Sequence, residues 1–276
     1  MKTLISAAAF AGAALLAAPA SAQDADSWTG FYVGGHIGYG FQPNDDGETI
    51  LFDTNLDGNF GDTVNTAAGA NAFSPGFCGG AAITTAPGGG CTDDRDGVEG
   101  GVHFGYDRQT SGGFVIGAVV DYDRTRLRDS VSAFSTTPAR YTMTRRLRDT
   151  ASFRLRAGFG TGRTLFYATG GLIYGSIRNS FSTSNTANAF TDNGNEHGWG
   201  YAFGGGVEQR LGAHFSIGLQ YLYRSVDAGD YVVRAGPGTA PPTNPFRIVN
   251  PNGTDFSRSG DRFTAHAVQI TASYRF

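Results

Sequence analysis

Apolar and polar residues alternate along most of this chain with a period of two. In GFYVGGHIGYGF, Phe31, Val33, Ile37, Tyr39 and Phe41 share one parity, while Tyr32, Gly34, His36, Gly38 and Gly40 take the other. That period, held beyond ten residues, predicts a β-strand with unlike faces. Val98, Val102, Phe104 and Tyr106 oppose Glu99, His103 and Asp107 in the same way. Phe114, Ile116, Ala118, Val120 and Tyr122 oppose Asp121 and Asp123, and Ala151, Phe153, Leu155, Ala157 and Phe159 oppose Ser152, Arg154 and Arg156. The run LFYATGGLIYG reads as a fifth strand whose faces are too alike to assign. Tyr201, Phe203 and Val207 oppose Glu208; Phe215, Ile217, Leu219, Tyr221 and Tyr223 oppose Gln220 and Arg224. Finally Val268, Ile270, Ala272, Tyr274 and Phe276 oppose Gln269, Thr271, Ser273 and Arg275. Eight strands of roughly ten residues have the length that a strand needs to cross an outer membrane.

The connections alternate too. Gln109–Gly113, Gly160–Arg163 and Arg210–His214 are tight; Gln42–Gly97, Asp129–Tyr141, Asn179–Gly198 and Ser225–Arg262 are long. Short turns on one side and long loops on the other predict an all-β fold: an eight-stranded antiparallel up-and-down transmembrane barrel with long extracellular loops. Both termini then lie on the short-turn, periplasmic side. The stretch Val233–Gly253, with Pro237, Pro241, Pro242, Pro245 and Pro251, reads as an irregular exposed segment.

Alternation alone fits a soluble barrel as well, with its polar face outward. Composition decides between them. Gly supplies 42 of the 276 residues, about twice ordinary usage, and many of these glycines share the parity of the charges. That mixture suits a crowded lumen. Aromatics gather near strand ends (Phe31, Phe41, Tyr106, Phe114, Tyr122, Tyr223, Tyr274), as interfacial girdles require. The apolar face is therefore expected to meet lipid. A net charge of −3 offers no basic field to nucleic acid. Nothing in the pattern sets an oligomeric state.

The first residues, MKTLISAAAFAGAALLAAPASA, read as a secretory signal cleaved after Ala22, leaving 23–276 as one barrel domain. Cys78 and Cys91 then meet an oxidising compartment, where a disulfide is the default.

WTGFYVGGHIGYGF, LFYATGGLIYG and the closing SYRF together resemble the alphaproteobacterial outer-membrane β-barrel family, often labelled porin family, whose fold is similar to the OmpA transmembrane barrel. The resemblance covers the strands, about a third to a half of the mature chain. It implies residence in the outer membrane and contact with its lipid. It also implies that Tyr274 and Phe276 belong to the signal read by the barrel-assembly machinery. Two departures stand out: a first long loop larger than the family usually carries, and Gln220 where an acidic residue is expected.

Three sets of residues are candidate sites. Glu99, Asp107, Asp121, Asp123, Arg154, Arg156, Glu208 and Arg224 share the polar parity and are expected to form a lumenal network. Arg124, Arg126 and Arg128 continue the lipid-facing parity beyond Tyr122, with Arg145 near, where guanidinium forks would meet lipopolysaccharide phosphates. In DTNLDGNFGD, Asp53, Asn55, Asp57 and Asp62 have the spacing of a calcium loop, but Val64 takes the place of its usual bidentate Glu. No cofactor is otherwise implied. An enzyme is not expected either: His36 and His103 share the lumenal parity with no Ser beside them in a triad pattern. The expected role is structural or surface-directed, with a small-solute porin and a surface adhesin or ligand-capturing protein as alternatives.

Overall fold

The computed structural model describes residues 27–43 and 47–276, so the expected signal, 1–22, lies outside the described residues. In chain order the strands are β1 (Gly30–Phe41), β2 (Ile50–Asp53), β3 (Gly76–Gly79), β4 (Ala81–Ala82), β5 (Cys91–Thr92), β6 (Gly97–Gln109), β7 (Phe114–Arg124), β8 (Arg128–Ser135), β9 (Ala139–Thr161), β10 (Thr164–Thr183), β11 (Ala189–Asp192), β12 (Glu196–Arg210), β13 (Phe215–Asp227), β14 (Val233–Gly236), β15 (Thr254–Arg258) and β16 (Arg262–Arg275). Antiparallel pairing runs β1, β6, β7, β9, β10, β12, β13, β16 and back to β1. This is the expected closed, eight-stranded, up-and-down barrel. The three tight turns fall where the pattern puts them. Gly113 and Gly162 there have φ of 85° and 55°, a region glycine enters without steric cost.

The faces are inverted relative to a water-soluble protein. Ile37, Val102, Leu155, Leu172, Phe203 and Ile270 are exposed on the outer wall, whereas Arg154, Arg156, Arg224 and Arg275 are buried. Such a wall is stable in hydrocarbon, where the closed ring also leaves no backbone edge unpaired. Aromatic contacts mark both rims. Phe31–Tyr106 (4.8 Å) and Phe215–Tyr274 (5.2 Å) lie on the turn side, and Phe41–His266 (5.1 Å) and Tyr201–Tyr223 (6.2 Å) on the other.

The strand with unassignable faces, β10, now resolves. Leu165, Ile173 and Ile177 are buried, with Tyr167 half-buried, while Phe166, Leu172 and Tyr174 are exposed. Its inward residues are apolar at both ends because each end meets an apolar layer. Leu165 packs with Trp28 and Val115 at the periplasmic end. Ile173 and Ile177 join Leu127, Leu147, Val226 and Phe263 near the mouth.

The long connections fold into an extracellular cap, and this corrects two expectations. Asp129–Tyr141, read as a loop, is the tip of a β8–β9 hairpin, and β9 and β10 stay paired as far as Tyr141 and Thr183. Val233–Gly253, read as irregular and exposed, contains β14 and buries Val233, Ala235, Ala240 and Phe246. A second sheet, β11–β14–β15–β2, packs with this hairpin around Phe52, Phe73, Tyr141, Phe246 and Phe256, with Phe52 and Phe73 4.4 Å apart. The prolines fit because they occupy the connections. Pro245 starts a 3₁₀ turn whose preceding Asn244 side chain accepts the Phe246 N–H at 3.1 Å. A disulfide joins Cys78 of β3 to Cys91 of β5.

Leu155 lies midway along the outward face of β9, 61% exposed. Leu155→Arg is expected to cost about 2–4 kcal/mol of stability in lipid, read from urea titration of protein folded into vesicles.

Candidate functional site

The polar parity of the strands delivers all eight expected charges to one interior. Near the periplasmic end, Arg156 meets Glu208 at 2.8 Å and Asp107 at 3.6 Å, and Arg275 meets Asp107 at 3.0 Å and Glu208 at 3.5 Å. Arg156 also donates to the Tyr32 hydroxyl at 2.6 Å, and Ser216 donates to Glu208 at 2.6 Å. Trp28 closes this end, buried beneath Arg275, which donates to its carbonyl at 2.9 Å. One level higher, Arg154 pairs with Asp121 at 2.8 Å, and Ser152 donates to the same carboxylate at 2.6 Å. Higher still, Arg224 grips Glu99 with two bonds of 2.9 Å and reaches Asp123 at 3.6 Å. Bidentate geometry with further hydrogen bonds is what lets buried ions offset their desolvation.

Sequence reasoning left several members out. Arg275 and Gln269 sit on the polar parity of the last strand, so that signal was available. Gln269 donates to Glu99 at 2.6 Å. Gln220, the departure from the family pattern, is not idle: it accepts from Tyr167 at 3.0 Å and donates to Gln269 at 2.9 Å. The histidine reading needs correction. Ser273 of β16 lies 2.8 Å from His103 Nε2, His103 faces His36 at 3.4 Å, and His36 meets Asp123 at 2.5 Å. This row was invisible because Ser273 and His103 are 170 residues apart and meet across β1. Glycines make room for it. A Cβ on Gly101 would stand 2.7 Å from His36 Nε2, and one on Gly34 would stand 2.7 Å from His103 Cε1. The space left between Tyr32, His36, His103, Arg154 and Glu208 is 20 Å³, room for about one water.

Above the apolar layer at the mouth lies a second charged cluster. Arg145 pairs with Asp129 at 2.5 Å and Glu48 at 3.5 Å; Arg258 pairs with Asp129 at 2.6 Å and also with Glu48. Arg145 therefore faces inward, away from the rim arginines it was expected to join. The pairing register shifts between Ser176 and Ile177, skipping Arg148, and this bulge reverses the parity of β9 beyond it. Arg124 and Arg126 are exposed and Arg128 half-buried, all facing outward; Arg124 lies 3.8 Å from Asp149.

In the candidate calcium turn the carboxylates serve the backbone. Asp53 accepts N–H bonds from Leu56, Asp57 and Gly58, Asp62 accepts from Thr54, and Asp57 N–H donates to Asn55. Tyr274 and Phe276 lie 5.2 Å apart at the periplasmic rim, with the Phe276 N–H bonded to the Phe31 carbonyl at 2.9 Å.

Two measurements probe these clusters. Glu99→Gln removes the bidentate partner of the Arg224 guanidinium, leaving it Asp123 at 3.6 Å, and is expected to cost about 3–5 kcal/mol, while Glu99→Gln with Arg224→Met recovers most of it, measured by urea unfolding in vesicles. In the cap, burial, aided by the charges of Asp129 and Glu48, pushes the Asp94 carboxyl up to about 7. The folded cap then holds this proton more tightly than the unfolded chain. Its contribution is complete below about pH 4 and is lost as pH rises toward 7. Asp94→Asn should flatten that part of the fall in cap melting temperature between pH 4 and 8.

The family model described as outer membrane protein beta-barrel domain matches residues 9–276. The 31 kDa outer-membrane immunogenic protein of Brucella melitensis biotype 1 is 30% identical over 128 residues, 46% of this chain and 53% of that protein. The chain thus spans about half the length of this curated relative. Among solved structures, OprG from Pseudomonas aeruginosa aligns over 92% of this chain and 100% of its own, at 13% identity and a TM-score of 0.45. The outer membrane protease OmpT from Escherichia coli aligns over 90% and 97%, at 9% identity and a TM-score of 0.41.

Proposed function

The chain belongs to the outer membrane protein beta-barrel domain family and resides in the cell outer membrane, and from that premise we propose that it is a sealed envelope barrel with a structural and surface role. The interior ion pairs carry this reading. Arg154, Arg156, Arg224 and Arg275 reach acids from neighbouring and opposite strands, with Trp28 below and the cap above. A lumen filled by paired side chains supports a plugged barrel over a small-solute porin, and the reading gives it no catalytic role. Arg124, Arg126 and Arg128 contact lipopolysaccharide phosphates at the outer rim, and Tyr274 and Phe276 meet the assembly machinery. The reading includes no cofactor, calcium at Asp53, Asn55, Asp57 and Asp62 among them. A second reading, capture of a ligand at the surface, is favoured by one observation: the cap is a β-structure built around an aromatic core rather than loose loop.

Reconstituted into planar bilayers, the monomer is expected to give no stable opening. Nanosiemens conductance would overturn the sealed-barrel reading in favour of the porin. Replacing Arg124, Arg126 and Arg128 together with Gln should lower the lipopolysaccharide that co-purifies; unchanged retention removes the lipid contact.

A further inference from the structure

Four arginines stand in one row across the outer rim. Arg178 of β10 is directly opposite Arg146 of β9, and Arg146 is opposite Arg128 of β8. Arg128 in turn exchanges backbone hydrogen bonds of 2.8 and 3.0 Å with Arg95. Like charges directly opposite one another destabilise a sheet. Arg124, Arg126 and Arg148 crowd the same place. A hollow of 550 Å³ opens among them, and the one carboxylate lining it, Asp96, accepts the Gln42 N–H at 2.9 Å. Among the described residues, these seven arginines make a single ion pair, Arg124 with Asp149 at 3.8 Å. Arg128 Nε is shut off from solvent and has no hydrogen-bond partner. A fold that pairs its interior arginines so completely leaves this row facing outward without counter-charge.

Height and spacing define what would supply that charge. Arg124 is two residues beyond Tyr122, and Arg178 four beyond Tyr174, both exposed aromatics of the outer girdle. At about 3.3 Å per residue along tilted strands, the row lies at the level of lipid headgroup phosphates. Adjacent strands are about 4.8 Å apart, so four arginines extend over about 14 Å. One phosphate accepts two or three guanidinium forks, and the row is too long for one.

We propose that this hollow is a binding site for a ligand bearing two or more neighbouring phosphate groups, lined by Arg95, Arg128 and Arg146 of the row, with Arg178 beside Arg146 at the end of it. The proposal rests on the reading that the rim contacts lipopolysaccharide and gives that contact a built site. Two sources share this chemistry: the bisphosphorylated headgroup of lipid A and a soluble polyphosphate.

Lipid-stripped protein in detergent is titrated with inorganic pyrophosphate, orthophosphate, and lipid A carrying two phosphates or one. Binding is read by calorimetry and by the melting temperature of the cap. The wild type is expected to bind pyrophosphate at least tenfold more tightly than orthophosphate, a selectivity that needs no variant to observe. Arg128→Gln with Arg146→Gln should lose at least tenfold in affinity and, relieved of repulsion, melt higher than wild type when empty. Heat-modifiable migration checks that it is folded. A matching preference for two-phosphate lipid A makes lipid the source; pyrophosphate binding without lipid A binding keeps the site but removes the lipopolysaccharide contact. Equal affinity for pyrophosphate and orthophosphate overturns the proposal. So does lipopolysaccharide retention that falls with Arg124→Gln and Arg126→Gln but not with Arg128→Gln and Arg146→Gln, an outcome that leaves the reading of the rim intact.

Discussion

Hydrocarbon offers no hydrogen bonds, and the rest of this structure follows from that fact. A strand that crosses a membrane must pair every backbone group with a neighbour, so the sheet has to close. Once closed, it has one lipid side and one inner side, and the period of two allots each residue to one of them. Charges cannot stay on the lipid side without a cost of several kcal/mol. They turn inward, where Arg224 meets Glu99 and Arg156 meets Glu208. The interior arginines are therefore a result of the outer wall being apolar, and their pairing is a condition of the wall being stable.

The interior is layered along the barrel axis by the same logic. Trp28 and Leu165 form an apolar floor. Above it come the ion pairs and the Ser273–His103–His36–Asp123 row, then the apolar layer of Leu127, Leu147, Ile177 and Phe263. The cluster of Glu48, Asp129, Arg145 and Arg258 follows, and finally the aromatic core of the cap. Each charged layer lies against an apolar or aromatic one that limits water, which strengthens its pairs while making any broken pair expensive. The outward row of arginines beside the cap is the exception to this pairing.

Much of this was written in local pattern. The alternation through Phe31–Phe41 and Val268–Phe276 specified strands and faces, and the short and long connections specified their order and direction. Parity also assigned Glu99, Asp121, Arg154 and Arg224 to one interior, because a residue's side of a strand depends on its own chain alone. β10 was unreadable for an equally local reason: its inward residues are apolar where they meet the floor and the mouth, so neither face contrasted with the other.

What parity could not supply was partnership. Which acid meets Arg154, whether a serine stands against His103, and that Phe52 packs on Phe256 all depend on register across strands distant in sequence. One bulge at Arg148 was enough to send Arg145 inward and align Arg146 with Arg128 and Arg178. The sequence by itself determined a lipid-facing barrel, its strand order and the parity of its charges, since these are properties of single strands. Only the tertiary structure decided the ion pairs, the folded cap and the arginine row, since a contact belongs to two strands and its register is set by the whole closed ring.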